Sequence, residues 1–219
     1  MFAGWQQGMP ATIQICGVQL PGRESRIDEA PPQSLAALLD ALDQALTPLL
    51  NMPFGLFGHS FGAWLAFHFA MRIRGRGGPG PCHLFAAGCR APQCTPRHPP
   101  IAHLPDAEFL TEVQRRYGAF PREILAEAEL LQTLLSTCKA DVRLMETTPY
   151  EAKVPLNCPI SVFGGVSDEF INAGELEAWR SQTIGPFRLQ MFPGGHFFVR
   201  SARAALTSSI ACQLQHLAC

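Results

Sequence analysis

A serine in the first third of the chain lies in a setting that suits a nucleophile. Gly58, His59, Ser60, Phe61 and Gly62 form a G-x-S-x-G pentapeptide. It follows a short apolar run and precedes a helical pattern, which is the strand–turn–helix context of a nucleophile elbow. We expect the amide of Phe61, at the start of the helix, to donate to a developing oxyanion. The alternative is a serine that only caps the helix in a glycine-rich turn.

A serine hydroxyl becomes a useful nucleophile only when a base takes its proton. His196 is the best of the seven histidines, because it follows a predicted strand and two glycines that permit a tight turn. A histidine satisfied within its own loop is the alternative. His59 is adjacent to Ser60, but we expect its side chain to point elsewhere along the turn, and we expect His68 to serve in packing or at the surface.

The base needs a carboxylate to fix its tautomer and to stabilise the imidazolium. Asp168 lies just past a predicted strand, in the segment GGVSDEF, and its neighbour Glu169 is the fallback. For each carboxylate the alternative is a loop side chain in water. The chain order Ser60, Asp168, His196 is that of the α/β hydrolases.

Strand and helix patterns alternate along most of the chain. Apolar runs bounded by turn signals predict strands at 11–20, 53–58, 82–89, 159–165 and 187–195. Apolar residues at three- and four-residue spacing predict helices at 34–50 (with Ser34 as N-cap), 61–74, 173–183 and 197–218. This alternation predicts an α/β fold with a mostly parallel sheet and helices on both faces.

One helical block interrupts the alternation. Residues 106–148 have helical patterns only, broken near Gly118 and Pro121. We therefore predict a single domain, 1–219, with a helical lid inserted at about 96–150. A chain of 219 residues is long enough for one such domain and too short for two ordinary ones.

Composition excludes several other classes of protein. With 47% hydrophobic and 16% charged residues the chain is globular, and its formal net charge of -1 gives no reason to expect a nucleic acid or an acidic membrane as partner. No apolar run approaches the ~20 residues that cross a bilayer. The N-terminus lacks the pattern of a secretory signal, so we expect a cytoplasmic protein. The cysteine and histidine spacing fits no zinc pattern, and no metal or cofactor is predicted.

Longer motifs carry more information than the pentapeptide. They are VQLPGRESR (18–26), PFGLFGHSFGAWLAF (53–67), HLFAAGCRAP (83–92), HLPDAEFL (103–110), ISVFGGVSD (160–168), ELEAWRSQT (175–183) and PFRLQMFPGGHFF (186–198). In these motifs and their order the chain resembles the type II thioesterases, the editing enzymes of polyketide and non-ribosomal peptide synthetases. The resemblance covers nearly the whole chain.

The resemblance implies hydrolysis of acyl thioesters on the phosphopantetheine arm of an acyl or peptidyl carrier protein. It carries the family's nucleophile onto Ser60, its acid onto Asp168 and its base onto His196. It also implies a lid that shapes a channel, which apolar residues would either line or only pack: Phe109, Leu110, Leu130 and Leu134. Because one chain completes the triad, we expect a monomer.

The sequence departs from the family at its N-terminus. Family members usually begin with a strand and an F-P-x-A-G-G loop, whose amide is the second oxyanion donor, whereas here Met1 falls just after that loop. We therefore expect a sheet without the N-terminal strand and a site without the oxyanion loop. Three alternatives stay open: a misassigned start codon, a truncated chain, or another amide in place of the missing donor. Two alternative functions stay open: a carboxylesterase with the same triad, and a truncated, inactive protein that only binds a carrier.

Overall fold

The computed structural model of the chain describes residues 2–215, and these form two compact units. The first unit consists of the residues up to Gly17, Ala45–Cys94 and the residues from Ala152 onward. The second unit consists of Val18–Gln44 and Thr95–Glu151. Among residues 2–215, every helix is too short or too polar to cross a membrane.

The helices are α1 (Leu35–Leu46), α2 (Phe61–Gly75), α3 (Asp106–Tyr117), α4 (Arg122–Leu125), α5 (Ala128–Thr147), α6 (Ala173–Glu177), α7 (Phe198–Ser201) and α8 (Arg203–Gln215). The strands are β1 (Gly55–His59), β2 (His83–Ala87), β3 (Ile160–Gly165) and β4 (Phe187–Phe192). Four of the five predicted strands are therefore confirmed. Helix α1 begins where the sequence predicts, since the amide of Ala37 donates to Ser34 Oγ at 3.2 Å.

The first unit contains a parallel sheet in the order β1-β2-β3-β4. His59 pairs in register with Ala87, and Gly165 pairs with Phe192. All four strands therefore end at the same edge of the sheet, and the segment that follows each strand begins at that edge. The predicted functional residues belong to those departing segments.

Helices cover both faces of this sheet. Successive side chains of a strand point to opposite faces. On one face Phe85 and Phe163 share a buried core with Phe198 and with Leu206 of α8. Helix α2 packs against β1 and β2 on the other face. The predicted α/β-hydrolase architecture is confirmed in this respect.

The strand predicted at 11–20 is wrong, because residues 13–20 form no regular secondary structure. Gln6 makes the backbone hydrogen bonds that a neighbouring strand would otherwise make. Its Nε2 donates to the carbonyl of Ile13 at 2.9 Å, and its Oε1 accepts from the amide of Ile15 at 2.9 Å. Ile13 and Ile15 still pack against the core of the sheet, so their apolar character has a role without a strand.

Two predicted helices differ in detail from the structure. The helix predicted at 173–183 continues from α6 into a 3-10 helix, Ala178–Gln182, which holds the fully buried Trp179. The helix predicted at 197–218 is divided between α7 and α8 at Ala202. Its last three positions, 216–218, lie outside the described residues.

The second unit contains the predicted helical block as α3, α4 and α5. Helix α3 ends just before Gly118, which has a left-handed φ of 57°, and α4 follows Pro121, so both predicted breaks are confirmed. Phe109 is fully buried in this unit's own core, together with Val113 and Leu135. For Phe109 the packing interpretation therefore holds, whereas Leu130 is exposed.

The PGRESR motif explains why residues 18–44 belong to the second unit. Arg23 pairs with Asp141 of α5 and also donates to the carbonyl of Pro21 at 2.9 Å. Thr137 Oγ1 of α5 donates to the carbonyl of Gly22 at 3.1 Å. A Cβ at Gly22 would lie 2.8 Å from Thr137 Oγ1. Burial raises the pKa of Asp141 to about 6, although Arg23 opposes the shift. The motif thus fastens its loop to α5 through a half-buried ion pair and a close backbone approach.

Candidate active site

Ser60 lies in a strained turn between β1 and α2. Its φ of 54° and ψ of -118° fall in a region that non-glycine residues rarely adopt, and in the described part of the chain Glu24 is the one other non-glycine residue with positive φ. The amide of Ser60 donates to the carbonyl of Ala87 at 2.8 Å, which fixes the turn to the end of β2. Such strain persists where the surroundings impose it, and it concentrates at functional sites.

The two glycines of the pentapeptide have different roles. A Cβ at Gly58 would lie 2.0 Å from the carbonyl oxygen of Gly62, so the turn closes only without a side chain there. A Cβ at Gly62 would meet nothing within 4 Å. The tight turn therefore requires the first glycine and not the second.

Replacing each glycine with alanine is expected to separate these roles. Gly58→Ala forces the backbone of the elbow apart, and we expect it to lower the free energy of unfolding by about 3 kcal/mol. Gly62→Ala adds a better helix former in open space, so its free energy of unfolding is expected to be unchanged or raised by up to ~1 kcal/mol. Urea unfolding followed by circular dichroism measures both. Equal losses in the two variants would contradict this account of the turn.

The amide of Phe61 opens helix α2 directly after Ser60. The first amides of a helix have no carbonyl of their own helix to bind, and the helix dipole is positive at this end. Helix α2 runs for 15 residues, so its first turn is suited to an anion beside Ser60. The oxyanion role of Phe61 itself stays a prediction from the sequence.

His196 and Asp168 form a buried pair. His196 Nδ1 lies 2.8 Å from Asp168 Oδ2, and the two side chains are 5% and 2% exposed. The other carboxylate oxygen accepts from the amides of Phe170 at 3.0 Å and Ile171 at 3.1 Å. Burial alone raises the pKa of Asp168, but the hydrogen bond from His196 and the two amides outweigh it and lower that pKa. A carboxylate at Nδ1 keeps the proton there and leaves the lone pair on Nε2. Glu169 is exposed, so Asp168 is the carboxylate that the structure brings to His196.

Glycines allow the His196 loop to approach the sheet. A Cβ at Gly165, the last residue of β3, would lie 2.3 Å from the carbonyl oxygen of Gly195. Gly194 has a φ of 120°, and its carbonyl accepts from the amide of Ser167 at 2.9 Å. These contacts hold the segment that carries His196 against the segment that carries Asp168.

Gly88 relates the His196 ring to the elbow. Because His59 pairs with Ala87, Ser60 and Gly88 leave adjacent strands at the same edge. A Cβ built at Gly88 would lie 3.5 Å from His196 Cε1 and 3.0 Å from His59 Nε2. The structure thus brings Ser60, His196 and Asp168 to one edge of the sheet.

Sequence reasoning missed the part that His59 and Gly88 play at this edge. The sequence predicts only that the His59 side chain points elsewhere along the turn, and it gives no partner for it, whereas in the structure His59 Nε2 lies 2.8 Å from the carbonyl oxygen of His196. The available signal was its position, because the residue before the nucleophile ends a buried strand. For Gly88 the sequence offers only a glycine after a buried run.

Comparison with known proteins agrees with the fold. A parallel sheet with a strained serine elbow and a His–Asp pair at its carboxyl edge defines a protein of the α/β-hydrolase type. The family model described as a thioesterase domain matches residues 1–214, and the chain therefore belongs to the thioesterase family.

Several individual relatives are named for biosynthetic pathways. The chain is 36% identical to the gramicidin S biosynthesis protein GrsT of Aneurinibacillus migulanus, over 98% of this chain and 83% of the relative. It is similar in structure to RedJ, the thioesterase of the prodiginine pathway of Streptomyces coelicolor, with a TM-score of 0.88, 33% identity and coverage of 96% and 84%. It also matches BorB, the type II thioesterase of the borrelidin cluster, with a TM-score of 0.76, 31% identity and coverage of 90% and 77%.

Proposed function

We propose that the chain is a type II thioesterase with Ser60 as nucleophile, His196 as base and Asp168 as the carboxylate that orients the base. Its substrate is an acyl thioester on the phosphopantetheine arm of a carrier protein. The observation that carries the proposal is the 2.8 Å contact between His196 Nδ1 and Asp168 Oδ2, at the edge where Ser60 occupies its strained turn. Membership of the thioesterase family supports the choice of a thioester.

The first half of the reaction transfers the acyl group to the enzyme. Ser60 Oγ attacks the carbonyl carbon of the thioester while its proton passes to His196 Nε2. The carbonyl oxygen becomes an oxyanion, and the amide of Phe61 donates to it. The carbon–sulfur bond then breaks, the sulfur takes the proton from His196, and the acyl group remains on Ser60 as an oxygen ester.

The second half of the reaction repeats this chemistry with water. Water gives a proton to His196 Nε2 and attacks the ester carbon, and the second oxyanion meets the same amide. When the ester bond breaks, Ser60 Oγ recovers a proton from His196 and the acyl group leaves as a carboxylic acid. Asp168 remains ionised throughout and stabilises the imidazolium in both halves.

The partner of the reaction is a carrier protein that bears a phosphopantetheine thioester. Relatives named for gramicidin S, prodiginine and borrelidin biosynthesis support an editing role in a comparable pathway. All three members of the triad come from one chain, which supports a monomeric enzyme. A cytoplasmic location belongs to the same proposal.

A substrate comparison tests the thioester assignment. We expect kcat/KM for an acyl-pantetheine thioester to exceed that for the ethyl ester of the same acyl group by at least about tenfold, which is ~1.4 kcal/mol of transition-state binding. Thiol release and acid formation measure the two reactions across acetyl, butyryl and hexanoyl substrates. Equal or better use of the oxygen ester would favour a carboxylesterase. Binding of a carrier protein without turnover of either substrate would favour the inactive carrier-binding protein.

A further inference from the structure

His59 connects the serine elbow to the loop that carries His196. It is the last residue of β1 and directly precedes Ser60. Its side chain is buried, with 7% of the residue exposed. Its Nε2 lies 2.8 Å from the backbone carbonyl oxygen of His196. One side chain therefore bridges the segment of the nucleophile and the segment of the base.

The direction of this hydrogen bond follows from its partners. A carbonyl oxygen only accepts, so His59 Nε2 must carry the proton and donate it. Burial, with a smaller contribution from the nearby His196, lowers the pKa of His59 to about 3. His59 therefore stays neutral near pH 7. Because its Nε2–H is committed to the carbonyl, that nitrogen cannot accept the proton of Ser60, and the low pKa of the ring makes the remaining nitrogen, Nδ1, a weak base.

Ring contacts hold His59 in this orientation. Its ring centroid lies 5.0 Å from that of His196, 5.4 Å from that of Phe197 and 6.2 Å from that of Phe198. Gly88 leaves room for the ring, since a Cβ there would lie 3.0 Å from His59 Nε2. Packing at position 59 thus requires a large side chain. The Nε2–H donor is a separate feature, because packing alone does not require a donor.

We infer that His59 is a positioning residue, which fixes the backbone of His196 beside Ser60 by donating Nε2–H to the His196 carbonyl. This inference rests on the proposed role of His196 as base. Asp168 orients the imidazole through Nδ1, and His59 fixes the main chain from which that imidazole extends. The base is then held at two points, of which only the first belongs to the triad.

Three substitutions separate positioning from packing. His59→Phe keeps an aromatic ring and removes the donor. His59→Gln keeps a donor near the place of Nε2, and His59→Asn keeps a polar side chain that is too short to reach the carbonyl. We expect kcat to fall about 10- to 100-fold in the Phe and Asn variants with KM within about twofold, because small displacements of a base cost that much. The Gln variant is expected to keep kcat within about threefold of wild type, on the same argument.

Steady-state kinetics with an acyl-pantetheine thioester give kcat and KM, and circular dichroism identifies any variant that fails to fold. If the Phe variant does not fold, the comparison of Asn with Gln decides. Wild-type kcat in the Phe or Asn variant would overturn the inference, and so would equal losses in Asn and Gln. Wild type and His196→Ala are measured beside them. An inactive wild type or an active His196→Ala would instead overturn the proposed function.

Discussion

The Ser60→Ala variant is expected to lose thioester hydrolysis almost completely. Without Oγ no acyl-enzyme forms, and removal of the nucleophile from a serine triad lowers kcat by about 10⁶-fold. The fold should persist, because the turn is held by the Ser60 amide and by Gly58, and neither depends on the hydroxyl. Thiol release from an acyl-pantetheine thioester measures the activity. A fluorophosphonate probe, which modifies activated serines, should label wild type and leave Ser60→Ala unlabelled.

A matched control for this variant is Ser208→Ala. Ser208 is exposed on α8, remote in sequence from the elbow, and its loss removes the same hydroxyl group from the chain. We expect wild-type turnover and labelling in this variant. Retention of turnover in Ser60→Ala, or labelling at another serine, would contradict the assignment of the nucleophile.

The Asp168→Asn variant is expected to lower kcat by about 10⁴-fold. The amide oxygen can still accept from Phe170 and Ile171, so the loop keeps its shape. The amide nitrogen, however, would donate to His196 Nδ1, and the imidazole would carry its proton on Nε2. In that tautomer His196 cannot take the proton of Ser60. The kcat of thiol release at pH 7 measures the effect.

Glu169→Gln is the control for this second substitution, because it also replaces a carboxylate with an amide, at the next position of the chain. Glu169 is exposed, and we expect its variant to have the kcat of wild type. The opposite pattern, with loss in Glu169→Gln and activity in Asp168→Asn, would make Glu169 the acid, as the sequence alone left open.

Elements with a local signal could be predicted from the sequence. The buried run before Ser60 and the helical pattern after it fix the elbow, since strand, turn and helix each follow from neighbouring residues. Strand β3 followed by Asp168, and strand β4 followed by two glycines and His196, are equally local. The parallel order of the strands then places these residues at one edge.

The features that escaped prediction depend on distant partners. The segment 11–20 has the composition of a strand, but whether it forms one depends on a neighbour, and Gln6 binds its backbone instead. The direction of His59 depends on where the His196 loop lies. The pairing of Arg23 with Asp141 joins residues 118 positions apart, which composition and periodicity cannot reveal. The residues next to Gly58 and Gly62 do not indicate that the two glycines differ in the space around them.

The most direct test of the proposed function uses a carrier protein loaded with an acyl-phosphopantetheine thioester. The loaded carrier is incubated with wild type or with Ser60→Ala, and the intact masses of carrier and enzyme are followed. We expect wild type to remove the acyl group from the carrier, and an early time point to find the mass of the wild-type enzyme raised by that group, while Ser60→Ala leaves the carrier loaded and keeps its own mass. A carrier that stays loaded with wild type, or is unloaded equally by Ser60→Ala, would contradict the proposed function of Ser60.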